Sequence, residues 1–327
     1  MKNFRNKKTI AVCGLGDHAI KNILPSINQC DALSLYAVNS RSREVLNRVA
    51  NEYNCLGFSD YDEILQNDEI DIIYLSTPPG VHYEQAKKSL LSGKHTWVEK
   101  PLTTDLEKTR KLIDISTSNN LSLFESLMYT YHPQFEFLMD YIRSNKLGDL
   151  IHISSKFGLP HMPNSGFRFH KKQGGSCLYD VGIYPISIIL FLFKEQNIEI
   201  KDSDQIFLKE GIDVSGNCRL LINKKINCDL FWNYDASYKN EIDVWGSSSS
   251  LHSKKVFSKD SEYEPIFHLS DMNGNTTEVK ISSSDHFIDM FEKFCSKMES
   301  IDFLNHHRQQ ILSLAQLMNK INNRNKR

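Results

Sequence analysis

Thr9-Ile10-Ala11-Val12-Cys13-Gly14-Leu15-Gly16-Asp17-His18-Ala19 is the stretch on which the fold turns. Thr9–Cys13 reads as a strand, and Ile20, Ile23, Leu24 and Ile27 then share one face of a helix. Between them lies G-x-G-x-x-A. Gly14 permits the tight turn, Gly16 lets the backbone approach a pyrophosphate, and Ala19 allows close helix–strand contact. The helix start offers unpaired N–H groups and a positive dipole end. A glycine turn after a strand is often only a turn; its place at the head of a βαβ series is what points to a dinucleotide. Pro25 lies inside the helix, where it bends the axis.

Reading outward, the pattern repeats. Leu33–Val38 is a strand and Arg43–Tyr53 a helix, and Asp60 caps the turn carrying Ile64 and Leu65. Ile70–Leu75 is almost continuously apolar, as a parallel strand covered on both faces must be. His82–Ser92 is helical, His95–Val98 a strand, Leu106–Asn119 a helix capped by Thr104 or Asp105, and Leu121–Glu125 a strand. Such βα units predict a doubly wound parallel sheet. After Glu125 the rhythm changes to a helix over Gln134–Ser144 and strands at Leu150–Phe157, Gly211–Ile222, Asn227–Tyr234 and Asn240–Trp245, interrupted by a helix at Gly175–Leu192. Turn signals at Asn223-Lys224-Lys225 and Asn273-Gly274-Asn275 suit antiparallel hairpins. Two helices, Asp285–Glu299 and His307–Asn322, and a basic, frayed tail end the chain. The expected class is α/β, with residues 1–124 as a nucleotide-binding domain. Residues 125–327 then form a second α/β domain with a large, mostly antiparallel, open-faced sheet; the last helix is free to pack back on the first domain.

The chain has 327 residues, 40% apolar and 24% charged, which suits two soluble domains. Lys plus Arg number 39 against 40 Asp plus Glu, so no global field favours nucleic acid or an anionic membrane. The richest apolar run, Ile188–Phe193, is short for a membrane span. Met1–Thr9 is basic but is followed by a strand rather than the apolar core of a secretory signal. The seven cysteines include no C-x-x-C pair, and their number is odd. Reduced thiols in a cytoplasmic protein are expected, with Cys218 and Cys228 as buried free thiols on neighbouring strands.

Cofactor choice falls at the end of the second strand, Val38-Asn39-Ser40-Arg41-Ser42-Arg43. No carboxylate precedes Glu44 to accept from a ribose 2′-OH. Ser40, Arg41 and Arg43 instead suit a 2′-phosphate, and so NADP(H) over NAD(H), although both arginines also read as solvated residues at a helix start. Ser76-Thr77-Pro78-Pro79 lies where open α/β sheets bind ligands. His82 follows, either at the cofactor or satisfying a backbone group. Glu99-Lys100-Pro101 ends the next strand, and a lysine beside a nicotinamide is suited to polarising a carbonyl oxygen.

With these motifs stand Met128-Tyr129-Thr130-Tyr131-His132-Pro133-Gln134 and Gly174-Gly175-Ser176-Cys177-Leu178-Tyr179-Asp180-Val181-Gly182-Ile183-Tyr184-Pro185. Together they resemble the glucose–fructose oxidoreductase and inositol dehydrogenase family, Gfo/Idh/MocA, over nearly the whole length. The resemblance implies a Rossmann domain and a second α/β domain whose open sheet makes homo-oligomers, dimers or tetramers. It implies Lys100 as catalytic lysine, Asp180 as motif aspartate, and Tyr184 at the position filled by His or Tyr among relatives. It also implies cofactor contacts from Gly14, Leu15, Gly16, Asp17, His18, Ser76, Thr77, Pro78, Glu99 and Lys100. Thr130 departs from a frequent Arg, and Cys177 from a common small residue.

Phe157-Gly158-Leu159-Pro160, Phe167-Arg168-Phe169, Tyr238-Lys239-Asn240-Glu241 and Val244-Trp245-Gly246 are similar to sugar-nucleotide 3-ketoreductases. Tyr129, His132, Arg168 and Tyr238 are accordingly expected at the substrate, with Arg168 alternatively a loop anchor. The implied chemistry is hydride transfer to a sugar ketone whose oxygen is gripped by Lys100 and Tyr184. No metal is required, since no clustered ligand spacing suggests one. Oxidation of a free sugar or a trans-dihydrodiol is the alternative within enzymes, and a nucleotide-sensing regulator the alternative outside them.

Overall fold

The computed structural model describes residues 7–160, 166–208 and 210–324; the basic residues at the two ends fall largely outside these. The described chain divides into two compact units, Met1–Leu127 with Phe287–Leu312, and Met128–His286 with Ser313–Arg327. The penultimate helix and the first half of the last one therefore go with the N-terminal unit.

The first unit is built on a parallel six-stranded sheet of β1 (Lys8–Cys13), β2 (Leu33–Asn39), β3 (Leu56–Phe58), β4 (Ile72–Leu75), β5 (His95–Glu99) and β6 (Leu123–Ser126). Their order is β3-β2-β1-β4-β5-β6, the doubly wound arrangement expected from the βα series. The helices between them are α1 (Leu24–Gln29), α2 (Arg43–Glu52), α3 (Tyr61–Leu65), α4 (Pro79–Leu91) and α5 (Leu106–Ser118). Asp60 and Asp105 cap α3 and α5 through their carboxylates, so of the two candidates Asp105 is the cap. Ahead of α1 the chain makes a π turn over Ala19–Ile23, in which the Leu24 N–H reaches back to the Ala19 carbonyl. The wide turn brings Pro25, which has no N–H to give, to the start of the α-helical hydrogen-bond pattern without ending the helix.

One face of this sheet is closed by Ile64, Leu90, Leu112 and Ile311 over Ala11, Ile73 and Val98. The other face carries Tyr74, Trp97 and Phe124, all fully buried, and meets α8 (His286–Lys297). Phe291 stacks on Trp97 at 6.1 Å between centroids, and Phe294 lies 4.0 Å from Phe124. Each such ring buries about 150–250 Å², worth several kcal/mol at about 25 cal/mol per Å². The start of α9 (Ile301–Arg324) is fixed by Arg308, whose guanidinium donates to the Ser116 and Leu121 carbonyls at 3.2 and 3.0 Å.

The second unit is an eight-stranded sheet of β7 (Leu150–Gly158), β8 (Ile198–Phe207), β9 (Asp213–Ile222), β10 (Ile226–Asn233), β11 (Lys239–Gly246), β12 (Ser249–Lys254), β13 (Ile266–Asp271) and β14 (Thr276–Lys280). Only β7 and β10 pair in parallel, so the expected open, mostly antiparallel sheet is what forms. Both hairpin signals are turns: Asn223 and Lys224 have positive φ and join β9 to β10, and Gly274 joins β13 to β14. β8 and β12–β14 were not read as strands; β8 and β14 are edges whose many charged and polar residues blur the alternation. On one face α7 (Ile183–Leu192) packs on β7 and β10 and α6 (Pro133–Arg143) meets β12 and β13 through Gln134 and Phe137, while the opposite face carries the exposed Phe231 and Trp245.

The expected single helix at Gly175–Leu192 is a π turn over Leu178–Gly182 running into α7. Gly182 is required there, because a Cβ would lie 2.8 Å from the Trp232 ring. The helical stretch Lys171–Leu192 is in fact long and apolar enough in composition to cross a membrane, contrary to the sequence expectation, but 78% of its apolar window is buried inside the fold. Its apolarity is that of a helix covered on all sides. The seven cysteines are free, with Cys218 and Cys228 buried on adjacent strands.

Candidate functional site

The turn after β1 has the shape a dinucleotide needs. Gly14 sits at φ +96°, and a Cβ there would stand 2.8 Å from the Ser76 backbone and the Thr77 methyl, so only glycine is admitted. Gly16 has nothing within 4 Å of where a Cβ would be, which leaves its backbone open to a ligand. Leu15 between them is buried. At the end of β2 the buried Asn39 donates to the Phe58 carbonyl at 2.9 Å, and Ser40, Arg41 and Arg43 follow, both arginines exposed. A pyrophosphate on the glycine turn and a 2′-phosphate among Ser40, Arg41 and Arg43 fit these residues. Ser76, Thr77 and Pro78 lie half-buried beside the turn, the Ser76 N–H donating to the Cys13 carbonyl at 2.8 Å.

Several residues expected at the cofactor have partners within the protein, Asp17, His18 and His82 among them. Asp17 points outward, 89% exposed, and pairs with Lys21 at 3.0 Å. The His18 ring meets Glu99 Oε1 at 3.0 Å and the Asn22 amide at 3.1 Å. His82 is fully buried, with its ring nitrogens 2.9 Å from the Pro101 carbonyl and 2.7 Å from the Thr77 carbonyl. Burial lowers its pKa despite those carbonyls, so it braces two loops and has no face for a cofactor.

Lys100 leaves β5 within a frame of buried polar groups. Tyr74 donates to Glu99 Oε1 at 2.5 Å, alongside His18. Burial alone would raise the Glu99 pKa, but the His18 ring, its bond, the Tyr74 hydroxyl and the Lys100 charge together hold it below the usual range. Glu99 is thus an ionised strut beside Lys100. His82 holds the Pro101 carbonyl, the Lys100–Pro101 peptide is cis, and the Leu102 N–H donates to Glu125 Oε1 at 2.7 Å. Sequence reasoning missed Tyr74 and Glu125. A carboxylate at the carboxyl end of a buried parallel strand was the available signal for Glu125; a tyrosine in β4 looks like any core residue.

In the second unit Asp180 and Tyr184, four residues apart across the π turn, are both nearly buried. Arg168 Nε donates to Asp180 Oδ2 at 2.6 Å, and the Tyr234 hydroxyl, also within reach of the Ser176 carbonyl, stands 3.1 Å from the same oxygen. Arg168 thus ties its loop to Asp180. The Tyr184 ring lies 5.2 Å from Phe157, 5.5 Å from Phe257 and 6.0 Å from Tyr129, and its hydroxyl is 3.8 Å from Met128 Sδ. An apolar wall of this kind keeps water from a phenol.

Two of the expected substrate contacts are structural. Tyr129 is wholly buried and bonds Ser187 at 2.8 Å. His132 caps α6, its Nδ1 accepting the Gln134 N–H at 2.9 Å, and burial pushes its pKa down to about 3. Tyr238 is half-exposed, accepts from Asn240 at 3.0 Å and donates to the Ser258 carbonyl at 3.4 Å. Of the departures, Cys177 is fully buried, and burial pushes its thiol up, as expected of a small packing residue. Among the described residues no His, Cys, Asp and Glu cluster could hold a metal ion.

The family model described as the oxidoreductase family with NAD-binding Rossmann fold, GFO/IDH/MocA, matches residues 8–126, and its C-terminal domain model matches residues 135–252. The chain is 26% identical over 281 residues to a dTDP-3,4-didehydro-2,6-dideoxy-α-D-glucose 3-reductase of Saccharopolyspora spinosa, covering 86% of this chain and 84% of the relative. It is 25% identical to a protein of the same description from Actinomadura kijaniata, over 90% and 89% of the two chains. A crystal structure of a 3-ketoreductase from Actinomadura kijaniata, in complex with NADP and TDP-benzene, superposes with a TM-score of 0.93 at 24% identity, covering 97% of this chain and 98% of the other. At that identity the superposition speaks to the fold.

Proposed function

Because the chain belongs to the GFO/IDH/MocA oxidoreductase family, we propose that it is an NADP-dependent reductase of a 3-keto group on a nucleotide-linked sugar. The observation that carries this reading is similarity along more than four-fifths of both chains to reductases described in those terms. The open Gly16 backbone and the exposed Arg41, with no carboxylate at the end of β2, support the choice of cofactor.

When bound, the nicotinamide supplies the hydride. The remaining work falls to the chain. Gly14 and Gly16 receive the pyrophosphate, and Ser40 and Arg41 the 2′-phosphate. Lys100 stabilises the negative charge that develops on the carbonyl oxygen, and Tyr184 gives that oxygen its proton. Asp180, tied to Arg168 and Tyr234, is the fixed charge that orients the sugar hydroxyls or tunes Lys100. The exposed Trp245 and Phe231 on the open face of the sheet support assembly of copies through that face.

The test is NADPH consumption across 3-keto sugar nucleotides, free sugars and dicarbonyls, run beside NADH. Tyr184→Phe is expected to lose about 10²-fold or more in kcat with little change in NADPH binding, and Lys100→Ala at least as much. Near-normal turnover in both variants on the true substrate refutes the assignment of residues. Turnover confined to unlinked sugars refutes the substrate and leaves the oxidoreductase.

A further inference from the structure

We propose that Glu125 is a positioning residue for Lys100, holding the backbone just beyond the lysine and acting on the charge of its ammonium. This rests on the catalytic reading of Lys100. Glu125 lies in β6, opposite Val98 of β5, and is buried. Its side chain reaches the exit of β5 and accepts the Leu102 N–H at 2.7 Å, two residues past Lys100. His82 holds the Pro101 carbonyl between them, and Tyr74 and His18 hold Glu99 on the near side. Glu125 thus extends to Leu102 the clamp that already holds Glu99 and Pro101 on either side of Lys100.

A carboxyl is an unusual choice for this task, because a neutral side-chain amide or a backbone carbonyl accepts an N–H without bringing a charge into the core. What distinguishes the carboxyl is that charge. The Lys100 ammonium acts on it from the β5 exit, together with the Leu102 N–H. From α9, His307 accepts the Glu125 backbone N–H at 3.3 Å, and burial pushes its pKa down to about 3, so it brings no charge. Phe124 and Phe303 pack against His307, and the β5 partner is Val98. Burial raises the Glu125 carboxyl to about 7, against the Leu102 bond and the Lys100 charge. Its charge therefore changes in the neutral range. Ionised, it favours the Lys100 ammonium; protonated, it withdraws that support.

The experiment reads Lys100 directly. Competitive acylation of the full-length, nucleotide-free protein, followed by mass spectrometry of the Lys100 peptide, gives the protonation of Lys100 against pH without turnover. In Glu125→Gln, which keeps an acceptor for Leu102, the labelling midpoint of Lys100 moves down by about one pH unit. The same variant loses a wild-type inflection of kcat near pH 7, while the NADPH KM is held. Glu125→Ala, which also frees the Leu102 N–H, loses more kcat than Glu125→Gln. An unchanged labelling midpoint with an unchanged pH profile in folded Glu125→Gln overturns the proposal. Should that variant fold poorly, the wild-type labelling curve decides alone, since it must inflect near pH 7 as Glu125 titrates, and a curve without that inflection also overturns it. If Lys100→Ala keeps its turnover while Lys100 labelling still follows Glu125, the catalytic reading fails and the link between the two side chains stands.

Discussion

Tyr234→Phe removes one oxygen from the second unit and nothing else. The Tyr234 hydroxyl is buried, 3.0 Å from the Ser176 carbonyl and 3.1 Å from Asp180 Oδ2, so its one proton is shared between two acceptors. Burial, reinforced by the Asp180 charge, pushes the phenol well above its usual range, and it stays a donor at any working pH. A hydrogen bond to a charged group contributes about 1.5–3 kcal/mol, and sharing the proton places this one near the lower end. A loss of about 1.5 kcal/mol lowers the thermal midpoint by about 3–6 °C for a unit of this size. Thermal and urea unfolding of Tyr234→Phe, Asp180→Asn and the double variant form a cycle that isolates the Asp180 share. A coupling of about 1 kcal/mol is expected, together with a fall in kcat, since Asp180 then keeps its Arg168 bond but loses the Tyr234 hydroxyl. If the two single effects simply add, the hydroxyl serves only the Ser176 carbonyl, and the picture of Asp180 held from two sides is wrong.

Arg41→Ala is expected to raise the NADPH KM about tenfold or more and leave NADH kinetics nearly unchanged; equal losses with both cofactors remove Arg41 from the 2′-phosphate. His307 concerns pH. Its pKa is pushed down to about 3 by burial, so below about pH 6.5 the unfolded chain takes up a proton that the folded one refuses, and stability falls as pH falls. The cost is about 2 kcal/mol at about pH 5, while Glu125, raised in the native state, works in the opposite direction over the same interval. His307→Gln keeps an acceptor for the Glu125 N–H and shrinks the loss of unfolding free energy between about pH 7 and pH 5 by about 2 kcal/mol; an undiminished loss refutes the assignment.

The nucleotide-binding half was legible because its signals are local. Apolar runs of parallel strands, a glycine turn and helix caps each declare themselves within a few residues, and the strand order follows from right-handed crossovers. The edge strands β8 and β14 were not legible, since a strand with one neighbour and much exposed surface tolerates charges that erase the alternation. At the candidate site, the glycine turn and Lys100 were singled out from motif and position, and Asp180 and Tyr184 from the family motif. Their partners were not. Glu99 is held by Tyr74 and His18, and Asp180 by Tyr234, 54 residues away in sequence. Pairings of that range are set by sheet register rather than by any pattern along the chain. His82 stayed open between two readings, and His132 was read towards substrate, for a related reason: a histidine near a motif looks the same whether it faces a ligand or the backbone.

The aromatic face of the parallel sheet has a consequence for how this protein must be made. Trp97 and Phe124 leave the ribosome early, whereas Phe291 and Phe294, which cover them, are synthesised only after Met128–His286 of the second unit. Until then the first half of the chain is a sheet with one oily side bare to solvent, a natural target for chaperones and for self-association. A fragment cut after residue 127 would stay in that condition permanently and is expected to aggregate, unless a peptide bearing the 287–312 helices is supplied beside it.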